Sequence, residues 1–308
     1  MITLLEAAKI NSGDVLRNTI IEHFARSSDL LNALPFIDVQ GGAYVYNLEG
    51  NLPGVAFRGV GEGYTASAGI MNPETERLRI SGGDLDVDLA TLKMHGQDVR
   101  SAHELRKVKA LSLTISDKII NGDSVAEPRE FDGLRTRIQG SQLQAAGATS
   151  GGDALKITLL RDLIDNTENA THLIMSKKMR NLLTAAATDA AVGGYITFSV
   201  DEFGKRVTQF DNLPILLTDY NANGDQVIDF LEAVPAGEST GGTSIYCVNM
   251  SDEGVTGLQN GIMEVRDLGE LQTAPVMRTR VEWLVGLAAL HGRAASRLWG
   301  VKDAAVTK

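Results

Sequence analysis

The chain has 308 residues, 43% hydrophobic and 22% charged, with a formal net charge of -10. That length and apolar content support a full core divided into two lobes and exclude a disordered polymer. The negative balance, without any long basic run, excludes a protein that grips nucleic acid through its phosphates, and no apolar stretch is long enough for a membrane-spanning helix.

The N-terminus has no basic region followed by an apolar run, so the reading is a chain made in the cytoplasm. From Thr3 to Leu34, apolar positions at Val15, Ile20, Ile21, Phe24, Leu30 and Leu31 predict a helical arm with Ser12 or Asp14 as caps, ended by Pro35. Phe36 to Leu92 then reads as a long Gly-rich β-arm. Ile37, Val39, Tyr44, Val45 and Tyr46 start it, Gly59, Gly61 and Gly63 make a loop tip, and strand character returns from Arg77 to Leu92. A two-stranded arm is marginal on its own, so this one is expected to pack on neighbouring copies of the chain.

In the second strand Leu85, Val87 and Leu89 alternate with Asp84, Asp86 and Asp88, which puts aliphatics on one face and carboxylates on the other. The carboxylates are expected to meet Arg77, Arg79 or their counterparts on another subunit, and the aliphatics to bury against another copy. These eight residues are the candidate intersubunit contacts. Ser101 to Glu104 fits a capping box, and Leu105, Val108, Leu111, Ile115 and Ile119 follow at helical spacing to Asn121-Gly122, a helix of about 20 residues or roughly 30 Å.

A polar connection runs from Glu127 to Gly152, and Asp153 is expected to cap a helix bearing Leu155, Leu159, Leu160, Leu163 and Ile164. A strand over Thr171 to Met175 follows, then a helix capped by Ser176 with Met179, Leu182, Leu183 and Ala186 inward. A hairpin joins Tyr195–Val200 to Arg206–Phe210 through a turn at 201–204. Helices mixed with mostly antiparallel strands give the α+β class.

Little here points to chemistry. Asp219 to Asp225 matches the first seven positions of a calcium loop, but position twelve is Phe230 rather than Glu, and a surface turn explains the same residues. The three aspartates lack accompanying ligands, the five histidines are scattered, and the single Cys247 sits in an apolar strand as a small core residue. The expectation is therefore no catalytic residue, no metal and no cofactor. A metal-dependent hydrolase using either acidic cluster stays as an alternative that calorimetric titration would decide.

The element order resembles the major capsid protein of tailed bacteriophages, with the Hong Kong 97 fold. Thr171 to Met179 is similar to that family's axial strand-then-helix, and Phe210 to Asp219 to its Leu-Pro strand entering a loop. Ser244 to Asn249 is similar to the next strand, and Val276 to Leu287 through Arg297 to Val301 to its closing strand pair. The resemblance implies an N-terminal arm (1–36), an extended loop (37–92), a peripheral domain with a long spine helix (93–150), an axial domain (151–272) and closing strands returning to the peripheral domain (273–308).

By the same resemblance, the subunits would form homo-pentamers and homo-hexamers of an icosahedral shell. That shell would enclose double-stranded DNA without specific binding, in a virion assembled with a scaffolding protein and a portal; a decoration protein outside is left open. The N-terminal segment of about 36 residues is too short for a large fused scaffolding domain, so the expectation is a separate scaffolding protein, favoured by the opening Met, or else a chain that begins after cleavage. Some members crosslink through a Lys of the extended loop, yet no Lys lies between Lys9 and Lys93, so no such isopeptide bond is expected from this arm. An encapsulin-like bacterial nanocompartment is the alternative shell.

Overall fold

The computed structural model describes residues 28–51, 53–95, 98–147, 152–188, 193–200, 206–218, 220–235, 240–261 and 263–307. The helical reading of residues 3–27 and the turn at 201–204 lie outside them. The chain opens with α1 (Asp29–Ala33), capped by the Ser28 side chain, then β1 (Phe36–Asp38), β2 (Ala43–Asn51), β3 (Ile70–Arg77) and β4 (Arg79–Asp88). Next come α2 (Leu89–His95), the long α3 (Asp98–Asn121), α4 (Leu134–Arg137), β5 (Leu143–Ala145), α5 (Ile157–Asn166), β6 (His172–Ser176) and α6 (Lys177–Ala186). The rest is strand: β7 (Ile196–Val200), β8 (Arg206–Phe210), β9 (Leu213–Thr218), β10 (Glu232–Ala233), β11 (Thr240–Val248), β12 (Val255–Gln259), β13 (Glu264–Glu270), β14 (Val276–Ala289) and β15 (Ala295–Lys302).

Among the described residues three sheets form. In the five-stranded sheet, β14 carries β4 along one edge and β13 and β12 along the other, with β1 parallel to β12 outside. The eight-stranded sheet runs β5-β15-β11-β6-β9-β8-β7, with β10 on β11. The β2–β3 hairpin belongs to neither.

The eight-stranded sheet separates two cores because its central strands are apolar on both faces. Leu173, Met175, Ile245 and Cys247 turn to one side, where they pack with Leu160 and Leu163 of α5 and Met179 and Leu183 of α6. Ile174, Tyr246 and Val248 turn to the other, joining α1, the buried stripe of α3, Leu134 and Trp283. Phe36 packs on Trp283 and its ring lies flat against Gly257, where a Cβ would come within 2.4 Å of Phe36 Cε1.

Several expectations change. The arm's second strand is two strands, β3 and β4, and residues from Leu89 onward are helical. Helix α3 begins at Asp98, so Ser101 lies inside it, and Leu105 is 37% exposed rather than core. Asp153 does not cap α5: the segment before the helix runs extended beside β15, with the Asp153 amide bonded to the Gly300 carbonyl at 3.2 Å, and α5 starts at Ile157. Ser176 does cap α6, accepting from the Met179 amide at 3.3 Å, and β7 pairs with β8 as a hairpin.

The lobe assignment also shifts. Residues 255–270, expected with the axial lobe, supply β12 and β13 to the five-stranded sheet. The closing strands part company: β14 stays in that sheet while β15 inserts between β5 and β11 of the larger one. Ala295 to Leu298 of β15 are buried without alternation, the pattern of a central strand covered on both faces.

Candidate assembly interface

The arm is built from its root outward. The Leu78 amide bonded to the Gly42 carbonyl (2.9 Å) closes the root of the hairpin, and the Asn260 side chain, from the body, donates to the Gly41 carbonyl (2.9 Å). Register places Tyr44, Tyr46 and Leu48 opposite Glu76, Glu74 and Asn72, so these share one face. The opposite face carries Val45 and Met71, exposed at 63% and 68%.

Tyr44 stacks on Tyr46, and both pack against a small cluster of Val39, Leu78, Leu258 and Ala288. Burial, and then the nearby Glu76 carboxylate, push the Tyr46 phenol up to about 12. Glu76 is ion-paired with Arg137 of α4, whose guanidinium also donates to the Leu287 carbonyl (2.9 Å) and to the Asp132 carbonyl (2.8 Å).

Beyond the root, residues 53–69 make the tip. A turn closes at 59–62 with Gly61 at φ 88, the Glu62 carboxylate accepts from the Gly59 amide (2.9 Å), and Arg58 lies over the Tyr64 ring. The tip is organised around these polar contacts, yet Val55, Phe57 and Val60 stand at 96%, 108% and 108% exposure. Gly59 and Gly61 of the expected loop tip lie in this turn, and Gly63 follows it.

Of the eight candidate contacts, β4 carries six and the structure brings them to its own subunit. Asp84 receives two hydrogen bonds from Arg280 (2.6 and 2.9 Å) and Asp86 two from Arg278 (both 2.6 Å), directly across the β4–β14 ladder. These bonds hold both carboxyls below the usual carboxylate range. The partners are thus Arg278 and Arg280 of β14, not Arg77 or Arg79. Arg77 is exposed at the end of β3 and Arg79 is half-buried. Asp88 instead caps α2, accepting from the Ala90 amide at 2.6 Å.

The aliphatic face of β4 turns inward, toward α3: Lys107 of α3 lies over Gly83. Val87 is 6% exposed, and Leu85 and Leu89 are half-buried. On that side Arg100 donates to Thr279 (2.8 Å) and pairs with Asp267 (2.7 Å), while Glu104 accepts from Thr279 (2.8 Å), so α3 is fastened across β14 and β13. The sequence did carry a signal for the missed arginines: Asp-x-Asp at 84 and 86 matches Arg-x-Arg at 278 and 280, two residues apart in each strand.

The other candidates take up ordinary structural positions among the described residues. Asn221 closes a tight turn, its side chain accepting from the Asn223 and Asp225 amides (2.9 and 3.0 Å), with Gly224 at φ 92; Asp219 lies outside the described residues. Among the described residues no three His, Cys, Asp or Glu side chains gather as a ligand set. Cys247 is buried, and burial pushes its thiol to about 11, so it stays protonated and inert at neutral pH.

Residues 12–154 match the family model described as major capsid protein GP7. No curated protein matches the chain. Among solved structures, the holo-SrpI encapsulin complex from Synechococcus elongatus is similar at 18% identity, covering 98% of this chain and 96% of that one with a TM-score of 0.65. The capsid of a native GTA particle is similar at 12% identity, covering 89% and 90% with a TM-score of 0.61. The phage G gp27 major capsid and gp26 decoration proteins are similar at 12%, covering 88% of each chain with a TM-score of 0.53.

Proposed function

We propose that this chain, which has the Hong Kong 97-like fold of capsid proteins, is the structural major capsid protein of a tailed-phage virion. It self-assembles through its arm, and the observation that carries this reading is the uncovered tip. Val55, Phe57 and Val60 are fully in solvent on a hairpin that joins neither large sheet. Three exposed apolar side chains within six residues at the tip of a marginal hairpin mark a surface that a partner covers, and a second copy of the chain is the partner that a shell supplies.

In this reading copies form pentamers and hexamers, and the part of the arm outside the body's sheets, the β2–β3 hairpin with its tip, lies across a neighbour with Arg77 at its accessible flank. The body on either side of β14 gives the peripheral lobe, and the eight-stranded sheet gives the axial lobe. The shell encloses double-stranded DNA without gripping it, consistent with a subunit of net charge -10. A separate scaffolding protein and a portal complete assembly, synthesis is in the host cytoplasm, and the chain is not an enzyme. The arm holds by packing rather than by a Lys crosslink.

Electron microscopy of the purified protein tests the proposal. Closed icosahedral particles are expected, and a triple Val55→Ser, Phe57→Ser, Val60→Ser variant should keep the subunit's circular dichroism while failing to close. A discrete monomer under all conditions would sink the shell reading. The likeness to the encapsulin favours a second reading, a bacterial compartment shell. Particles holding DNA support the phage head, whereas uniform small particles holding a protein support the compartment.

A further inference from the structure

We infer that Arg137 and Glu76 form a clasp that sets the direction of the arm, making Arg137 a positioning residue for assembly; this rests on the shell reading above. Among the described residues the hairpin β2–β3 has no ladder to any other strand. Beyond the root amides, its charged tie is the Arg137–Glu76 pair, joined by the Tyr46 hydroxyl donating to Glu76 at 3.4 Å.

The geometry suits a positioning role. Arg137 stands at the end of α4, and its other nitrogens are already committed to carbonyls of two separate pieces of the body, Asp132 and Leu287. A planar guanidinium with three fixed acceptors has one orientation, so it transmits the body's frame to Glu76 on the arm. The pair keeps only 15% and 20% of side-chain exposure, so solvent screens it less than a surface pair.

A cleft of about 220 Å³ lies between arm and body, lined in part by Tyr46, Glu74, Gln142 and His291 beside the clasp. The arm is therefore not sealed onto the body along this side, and packing alone leaves room for it to swing. Glu76 lies one residue from the end of β3, so a small rotation there moves the tip, at the far end of the hairpin, through a much larger arc.

The test uses the full chain with Thr65→Cys and Ser101→Cys introduced for spin labels, both sites being exposed while the native Cys247 is buried and unreactive. Electron–electron resonance on dilute, unassembled subunit is expected to give one narrow tip-to-helix distance distribution. Glu76→Ala should broaden it, Glu76→Gln, which keeps an acceptor oxygen, should retain most of the narrowness, and shell formation by light scattering should slow in Glu76→Ala on the order of tenfold.

Arg137→Lys, which keeps the charge but cannot hold three acceptors in one plane, should broaden the distribution too, and it serves if Glu76→Ala does not fold. A narrow distribution in the folded variants identical to the parent's overturns the clasp. Absence of shells from the parent protein overturns the shell reading instead, and leaves the distance result to be read on its own.

Discussion

At the level of single residues, the most deeply buried charge among the described residues is Glu232. It is 4% exposed and accepts from Arg297 Nη2 (2.8 Å) and from Ser244, while Arg297 also donates to Ser244 (2.9 Å) and lies over the Tyr246 ring. Removing one partner of such a pair strands the other charge in a poor solvent. Glu232→Ala is expected to lower stability by about 3–5 kcal/mol in urea denaturation, and Glu232→Gln, which still offers Arg297 an oxygen, by less. The exposed pairs Asp84–Arg280 and Asp86–Arg278 behave differently. Their carboxyls titrate below the ordinary range when folded, so the unfolded chain takes up protons first. Whatever stability the pairs contribute is complete above about pH 4 and lost as pH falls through the lower folded values. An Arg278→Met, Arg280→Met double variant should show a flatter decline below pH 4 by circular dichroism, and an unchanged acid profile would contradict this assignment.

At the level of elements, α3 shows what periodicity reveals and where it misleads. Val108, Leu111, Ile115 and Ile119 were legible as an inward stripe and are buried. Leu105 continues the same spacing but is 37% exposed, because in the first turns the face toward the sheet is occupied by Arg100 and Glu104, hydrogen-bonded to Thr279. A polar seam of this kind leaves no apolar mark in the sequence. Ile115→Ala should therefore cost about 2–5 kcal/mol, and Leu105→Ala no more than about 0.5 kcal/mol, by chemical denaturation; comparable losses at both sites would contradict the exposed placement of Leu105. The alternation of β4 was equally legible, since Asp84, Asp86 and Val87 declared two faces. Its partner was not, because Arg278 and Arg280 lie nearly two hundred positions later, and pairing across that separation is decided by the sheet rather than by local pattern. For the same reason β14 and β15 read as one closing pair although they end in different sheets.

At the level of the whole molecule, the balance of charge bears on how copies meet. The chain carries a formal charge of -10, so the proposed shell would gather many like-charged bodies, and that repulsion acts over about 10 Å at 0.1 M salt. The exposed face of the five-stranded sheet does little to relieve it. Asp84, Asp86 and Glu282 are matched inside the subunit by Arg280, Arg278 and Arg266, so their charges are spent before a neighbour arrives. In the proposed shell the exposed apolar tip supplies an attraction between copies whose strength does not fall with moderate salt. Shell formation, followed by light scattering and confirmed by electron microscopy, is therefore expected to quicken as sodium chloride rises from about 0.01 M to about 0.3 M, the range over which the Debye length shortens from about 30 Å to well under 10 Å. A contact held instead by complementary charge between subunits would respond in the opposite sense and slow with added salt. The Val55→Ser, Phe57→Ser, Val60→Ser variant separates the two contributions: with its apolar attraction removed and its charge unchanged, added salt should no longer restore assembly, and recovery of full assembly at high salt would place the driving contact somewhere other than the tip.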